Sequence, residues 1–279
     1  MVIDGRAIAQ HTYDYLAKRV EELKEEGVTP HLAIILVGDD PSSSAYVKQK
    51  EQKLTQIGGA VTTKRLDSSI TEEELITIIQ EFNDDPIVHG IIIQRPLPEG
   101  IDTNHITDAT VPEKDVDGFR EDSPFEPPLA LAVMKTLKEV FKQTNQEGDL
   151  DDWLRTKKIA ILGKGYTAGA PVIKLFALHK IPLTIIDRST TNREEILSQA
   201  DIVISAVGKE GALSATEIKD GAVVIGVGMY KGEDGKLHCD YNEEEISQKA
   251  SYYTPVPGGI GPVNVAMLLQ NLIKASENV

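Results

Sequence analysis

Cysteine is almost missing from this chain: Cys239 is the single one in 279 residues. That excludes an internal disulfide framework and suits a reducing compartment. Long apolar runs are missing too. None approaches the length a bilayer-crossing helix needs, and the opening Met1-Val2-Ile3-Asp4-Gly5-Arg6 has no signal-peptide pattern, so a cytoplasmic protein with no membrane partner is expected. Positive charge is scarce. Lys and Arg number 29 against 44 Asp and Glu, a formal charge of −15, which argues against nucleic acid or an anionic membrane surface as partner. An anionic small molecule stays open, because local basic side chains can dominate a pocket. Zinc-type ligand spacing is absent: His238-Cys239-Asp240 are consecutive, no second cluster accompanies them, and no metal is expected. The hydrophobic fraction of 41% is sufficient for a sizeable core, and the length favours two domains.

The chain alternates helices and apolar runs. Ile3 to Glu26 has helical spacing and high charge, and Leu32-Ala33-Ile34-Ile35-Leu36-Val37 is the short branched run a buried parallel strand needs. Gly38-Asp39-Asp40-Pro41 breaks it and starts a helix, Asp40 capping and Pro41 suiting the first helical position. Thr71 and Glu74 form a capping-box pattern ahead of Leu75, Ile76, Ile78, Ile79 and Phe82. A buried strand is expected from Ile87 to Ile93, followed by the stiff turn Gln94-Arg95-Pro96-Leu97-Pro98. Residues 113–128 read as a loop, 129–141 as a linking helix, and 143–152 as a boundary or exposed insertion. Strands are then expected at 158–162, 182–186, 201–207 and 222–227. An amphipathic helix at about 263–275 lacks a sheet partner and is expected to pack back on the first domain. The acidic runs 21–26 and 243–245 read as solvated helix faces.

Between the strand at 158–162 and the helix after it lies Gly163-Lys164-Gly165-Tyr166-Thr167-Ala168-Gly169. Small residues there let the backbone turn tightly and approach a pyrophosphate, whose charge the helix start meets. The spacing is GxGxxxG, and a purely structural strand-to-helix turn is the alternative. Asp187 ends the next strand, about where an acidic residue binds a ribose hydroxyl. A carboxylate there favours NAD, whereas Lys164, Arg188 and Ser189 are placed to hold the 2′-phosphate of NADP.

On the helix after the first strand, Tyr46 and Lys50 are four residues apart and share a face. Taken alone they read as a solvated surface pair. They lie, however, in Val37-Gly38-Asp39-Asp40-Pro41-Ser42-Ser43-Ser44-Ala45-Tyr46-Val47-Lys48-Gln49-Lys50, which is similar to the VGxDPxSxxYVxxK block of the methylene-tetrahydrofolate dehydrogenase/methenyl-tetrahydrofolate cyclohydrolase family. Further blocks follow in the family's order. Gly90 to Pro98 resembles GxxxQLPLP, Pro112 to Phe119 resembles PxKDVDGF, and Thr254 to Pro262 resembles TPVPGGVGP. The resemblance covers nearly the whole chain.

The resemblance implies an α/β protein of two domains forming a cleft, the second a Rossmann-type parallel sheet. The folate-binding catalytic domain would be 1–138, completed by 262–279, and the dinucleotide-binding domain 139–261. It implies oxidation of 5,10-methylenetetrahydrofolate with hydride transfer to NAD(P), then hydrolysis to 10-formyltetrahydrofolate, in one-carbon metabolism and purine biosynthesis. Tyr46 would pack on the folate ring system, Asp117 would bind the pterin edge, and Lys50 would be the central catalytic group, oriented by Gln94. Pro257, Gly258 and Gly259 would line the substrate side near the nicotinamide. The cofactor, NADP with NAD as the alternative, would meet Gly163, Lys164, Gly165, Gly169, Asp187, Arg188, Ser189, Val207 and Gly208. Partners would be tetrahydrofolate derivatives and a second copy in a homodimer.

Departures from the family pattern cluster on the cofactor side. The usual GRSxxVGxP reads Gly163-Lys164-Gly165-Tyr166-Thr167-Ala168-Gly169-Ala170-Pro171, CHS reads Asp187-Arg188-Ser189, and VIDVGIN reads Val224 to Tyr230 as VIGVGMY. PCTP is replaced by Phe125-Glu126-Pro127-Pro128, Asn264 stands for a threonine, and Arg95 for a leucine. Altered cofactor handling is the expectation these carry. A cyclohydrolase with impaired dehydrogenase, and a non-catalytic dinucleotide-binding protein, are the rival readings.

Overall fold

The computed structural model describes residues 1–144 and 146–278. Asn145, inside the expected boundary at 143–152, and Val279, inside the expected 262–279 segment, lie outside the described residues. The chain divides into two compact units, one of Gln10–Pro128 and the segment from Val265 on, the other of Met1–Ala9 and Leu129–Asn264.

The first unit is built on three parallel strands. Helix α1 (Gly5–Glu25), which belongs to this unit from Gln10 on, leads to β1 (His31–Val37), α2 (Pro41–Gln56), β2 (Ala60–Leu66), α3 (Glu72–Asp84), β3 (Gly90–Ile93) and α4 (Thr103–Ala109). The order is β2-β1-β3, with both neighbours parallel to β1. As the central strand, β1 buries Leu32 through Val37, which explains why it is apolar without alternation. At the edge, β2 reads Ala-Val-Thr-Thr-Lys-Arg-Leu and is only partly buried. Its polar residues are paired rather than packed: Thr63 Oγ1 donates to Glu51 at 2.5 Å, and Lys64 meets Glu81 at 3.0 Å. The sequence pattern gave no sign of this strand. It also overextended β3: Ile87 is 59% exposed, because its amide turns back onto Asp85 Oδ1 at 3.0 Å.

Helix starts follow the expected chemistry. Asp40 Oδ2 accepts from Ser43 N at 2.7 Å with Pro41 opening α2, and Thr71 and Glu74 complete the capping box of α3. At the other end of α3, Lys114 Nζ donates to the carbonyls of Phe82, Asn83 and Asp85 at 2.7–3.0 Å, a cation on the helix C-terminus.

The second unit carries α5 (Pro128–Gln143), α6 (Leu150–Arg155), β4 (Ile159–Leu162), α7 (Gly169–Leu178), β5 (Thr184–Ile186), α8 (Arg193–Gln199), β6 (Ile202–Ser205), β7 (Val223–Gly226), β8 (Met229–Lys231), β9 (Leu237–Cys239), α9 (Glu243–Ser247) and β10 (Tyr252–Tyr253). The order β10-β7-β6-β4-β5 is parallel throughout, and β8 and β9 form a separate antiparallel hairpin. From β4 the chain crosses to β5 on one side and then to β6 on the other. The carboxyl ends of β4 and β6 therefore flank the point where strand order reverses, where open parallel sheets bind ligands. The strands expected at 182–186, 201–207 and 222–227 are present but shorter, and Pro182, lacking an N–H, lies outside β5.

Helix α10 (Ile260–Ser276) closes the chain and contributes from Val265 on to the first unit. There Asn271, 1% exposed, donates to the carbonyls of Val116 and Glu126 at 3.0 and 2.9 Å. No helix among the described residues is long and apolar enough to cross a membrane.

Candidate active site

Lys50 is a buried lysine in the first unit. It sits in the third turn of α2, is only 4% exposed, and donates from Nζ to Gln94 Oε1 at 3.0 Å. The ammonium lies 4.9 Å from the centre of the Tyr46 ring, one helical turn away on the same face. Gln94 is itself fixed, since its amide N–H bonds Ile35 O at 2.8 Å and its Nε2 donates to Arg95 O at 2.7 Å. That orientation turns Oε1 toward Lys50. Burial pushes the Lys50 amine below the ordinary lysine range, and the negative charge of Asp117 opposes the shift. The three sequence-predicted residues Tyr46, Lys50 and Gln94 are thus brought together, with Asp117 close enough to act on the lysine electrostatically.

The charged residues around Asp117 divide their tasks. Lys114 caps α3, as above. Asp115 is buried, accepts from the Arg120 amide at 2.9 Å, and has its carboxyl pushed up to about 6 by burial. Asp117 is only partly buried. Arg95, standing where the family pattern has leucine, lays its guanidinium 3.9 Å above the Phe119 ring and donates to Thr107 Oγ1 at 2.6 Å. Sequence reading could not separate these structural roles from binding ones, because motif spacing does not report what a side chain touches.

In the second unit, Pro257, Gly258 and Gly259 form a turn after β10. Gly258 has a φ of 114°, and a Cβ on the neighbouring Gly5 would fall 1.8 Å from Gly259 O. The segment leading in is tied down: Tyr241 Oη donates to Thr254 O at 2.6 Å, and Val256 N to Glu243 Oε1 at 2.7 Å. Glu243 was expected on a solvated face and instead holds this backbone, because α9 begins directly beside it. Glu244 and Glu245 keep to the first turn of α9, whose cap is Asn242.

The glycine loop runs from β4 into α7 as expected. Gly163 has a φ of 90°, and a Cβ on Gly169 would lie 2.1 Å from Gly163 O, so the loop closes on itself only with glycine at both positions. Ala168, preceding α7, supplies no side-chain cap. Beside the loop is a cavity of about 710 Å³. Its walls include Gly163, Lys164, Gly165, Asp187, Arg188 and Ser189, and Val207 contributes from the end of β6. Lys164 Nζ bonds Asp187 at 2.7 Å, while Ser189 donates to the other oxygen from N at 2.9 Å and from Oγ at 2.6 Å. Lys164 foremost, then Ser189, hold the Asp187 carboxyl well below the usual carboxylate range. Seven of the nine sequence-predicted cofactor residues therefore line one cavity, with Gly169 at the helix start and Gly208 next to Val207.

Asp240, which the sequence offers only as part of the His238-Cys239-Asp240 run, has a structural task. Asp240 is fully buried and accepts from Val207, Gly208 and Lys209 amides and from Ser205 Oγ. An isolated acid after a cysteine gives no spacing cue to such a role.

Residues 3–117 match the family model described as tetrahydrofolate dehydrogenase/cyclohydrolase, catalytic domain, and residues 134–279 match the NAD(P)-binding domain of the same family. The chain belongs to the tetrahydrofolate dehydrogenase/cyclohydrolase family. Similar members include the bifunctional protein FolD of Bacillus subtilis (strain 168), 39% identical with 99% of this chain and 97% of that protein covered, and that of Nautilia profundicola, 40% identical with the same coverage. Among solved structures, the Campylobacter jejuni bifunctional enzyme FolD superposes with a TM-score of 0.92 at 34% identity, covering 100% of this chain and 99% of that one. The Trypanosoma brucei methylenetetrahydrofolate dehydrogenase-cyclohydrolase, complexed with NADP cofactor and inhibitor, gives 0.89 at 31% identity, covering 100% and 97%.

Tyr46, Lys50, Gln94 and Asp117 lie within the stretch that matches the catalytic domain, and the glycine loop and Asp187 within the stretch that matches the NAD(P)-binding domain. The cavity fits a dinucleotide. It has a close-packed glycine turn, a helix start with no side-chain cap, and both a carboxylate and cations in its wall.

Proposed function

We propose that this protein oxidises 5,10-methylenetetrahydrofolate to the methenyl form and hydrolyses that product to 10-formyltetrahydrofolate, with Lys50 as the central catalytic group. The observation that carries the reading is a buried lysine of lowered pKa, held by a neutral amide and flanked by an aromatic ring. Family membership over both domains supports it.

The methylene carbon between N5 and N10 loses a hydride and becomes a cation that both nitrogens stabilise. NAD(P), when bound, supplies the hydride acceptor. Tyr46 offers its ring face to the pterin, and Asp117 offers two acceptor oxygens to the pterin donor edge. In hydrolysis the carbon–N5 bond breaks and the formyl group stays on N10, one proton of the added water going to N5 and the other being lost as the water attacks. Lys50 in its amine form accepts that proton, and Gln94 Oε1 fixes the direction of Nζ without adding a charge beside a cationic substrate. Pro257, Gly258 and Gly259 would line the substrate side near the nicotinamide.

Gly163, Gly165 and Gly169 would hold the pyrophosphate, while Lys164, Arg188 and Ser189 would hold the 2′-phosphate of NADP, with Val207 and Gly208 on the opposite wall. A second reading, NAD, is favoured by one observation: the ionised Asp187 lines the same cavity and would accept ribose hydroxyls. The folate domain is proposed as 1–138 with 262–279, the dinucleotide domain as 139–261, and the working form as a cytoplasmic homodimer, which sedimentation would test.

The test is a paired absorbance assay. Methylenetetrahydrofolate is supplied with NADP and NAD separately, and methenyltetrahydrofolate is then supplied alone. Turnover in both is the expected result. Methenyl hydrolysis without reduction of either dinucleotide leaves only a cyclohydrolase, and silence in both removes the catalytic reading.

A further inference from the structure

We propose that Asp240 is a positioning residue for the dinucleotide, setting the shape of the cofactor cavity from behind without touching its occupant. This rests on the dinucleotide reading above.

Asp240 follows β9 and is 0% exposed. Its Oδ2 accepts from Ser205 Oγ at 2.7 Å and Val207 N at 2.8 Å, and its Oδ1 from Gly208 N at 2.7 Å and Lys209 N at 3.0 Å. The amides of three consecutive residues thus converge on one carboxylate, a backbone nest filled by the protein's own anion. A buried charge is tolerated when every lone pair has a donor, and such charge-assisted bonds are about twice as strong as neutral ones.

The clamped segment is the cavity wall itself. Ala206, Val207 and Lys209 line the cavity, and on the opposite side a Cβ added to Gly163 would meet Ala206 O at 2.7 Å. The backbone after β6 is therefore pressed between Asp240 and the glycine loop. Any slack behind it changes the gap the pyrophosphate must enter. Gly228 supports the same arrangement: a Cβ there would lie 2.2 Å from Asp240 Oδ2 and 2.5 Å from Gly208 N. Its amide, with that of Val227, donates to Ser205 O at 2.9 and 2.8 Å, so the ends of β6 and β7 meet at the carboxylate.

The test substitutes Asp240→Asn. The shape is kept, but one arm becomes a donor facing backbone N–H groups. NADP affinity measured by calorimetry is expected to weaken about tenfold, the scale of one buried donor left unsatisfied. Hydrogen-exchange protection at the amides of Val207, Gly208 and Lys209 should fall. KM for the dinucleotide should rise with kcat held within about twofold. Methenyl hydrolysis, which uses no dinucleotide, should be retained. Ser205→Ala, which removes a single donor, should weaken NADP binding about two- to threefold, and Gly228→Ala should resemble Asp240→Asn. Should Asp240→Asn fail to fold, the other two variants decide by the same readouts. Unchanged affinity and exchange overturn the proposal, as does a parallel fall of both activities, which marks a merely structural role. A wild type that binds NADP but turns over nothing overturns the function above, while affinity and exchange still decide the role of Asp240. A wild type that binds neither dinucleotide overturns both.

Discussion

The two candidate sites hold their chemistry in opposite ways. Around Lys50 the working parts are side chains: a buried amine, the amide that orients it and a ring one turn away, all on or beside α2 and β3. Around the glycine loop they are backbone: two glycines in contact, a helix start with no side-chain cap and a strand end clamped through its amides. The side chains there are more open, Lys164 being 64% exposed. The difference accounts for where the family pattern is kept. A site made of side chains fixes residue identity, so Tyr46, Lys50, Gln94 and Asp117 all stand in place. A site made of backbone fixes glycine positions and leaves the residues between them free, so Lys164, Asp187 and Arg188 differ from the usual pattern without loss of the cavity.

Substitutions can break this contrast at either end. Lys50→Met should lower methenyl hydrolysis by about 10²–10⁴-fold, the range of a lost general base, while NADP affinity is unchanged. A parallel loss of cofactor binding would show that the sites are not separable. Gly169→Val forces a side chain into Gly163 O and should raise KM for the dinucleotide at least about tenfold, with hydrolysis of supplied methenyltetrahydrofolate intact. Asp187→Ser removes a carboxylate and releases Lys164. The ratio of kcat/KM for NADP over NAD should rise about five- to tenfold, and an unmoved ratio would remove Asp187 from cofactor choice.

The smallest effect concerns pH and stability. Burial raises the Asp115 carboxyl from 3.8 to about 6, so the folded state holds its proton more tightly than the unfolded one. The associated stabilisation is complete below the unfolded value and is lost as pH rises through the folded value. Asp115→Asn keeps an acceptor for the Arg120 amide and should match wild type in thermal melts near pH 4. Near pH 8 it should exceed wild type by on the order of 1–2 kcal/mol. Equal melts at both pH values would contradict this.

Much of both sites was legible because their signals are local. Strand β1 announces itself as an unbroken branched run, the caps of α2 and α3 are written in Asp40-Pro41 and Thr71–Glu74, motif blocks carry Tyr46, Lys50, Gln94 and Asp117, and the glycine spacing between β4 and α7 carries the loop. Strand β2 was not legible, since an edge strand pairs Thr63 and Lys64 with helix side chains and needs no apolar pattern. The start of β3 and the end of β6 fall short of the expected bounds, because apolar residues such as Ile87 and Val207 continue outside the ladder. Asp240 and Glu243 were missed as supports for a different reason. Their partners lie more than ten residues away on other elements, a relation that no spacing rule within one segment records.

The most direct test is the pH–rate profile of methenyltetrahydrofolate hydrolysis, corrected for the uncatalysed reaction, in wild type and Lys50→Met. A lysine that works as its amine predicts a rate that climbs with pH to a plateau, with an apparent pKa below the ordinary lysine value, and a limb absent from Lys50→Met. The same limb surviving in Lys50→Met would contradict the assignment of the proton transfer to Lys50.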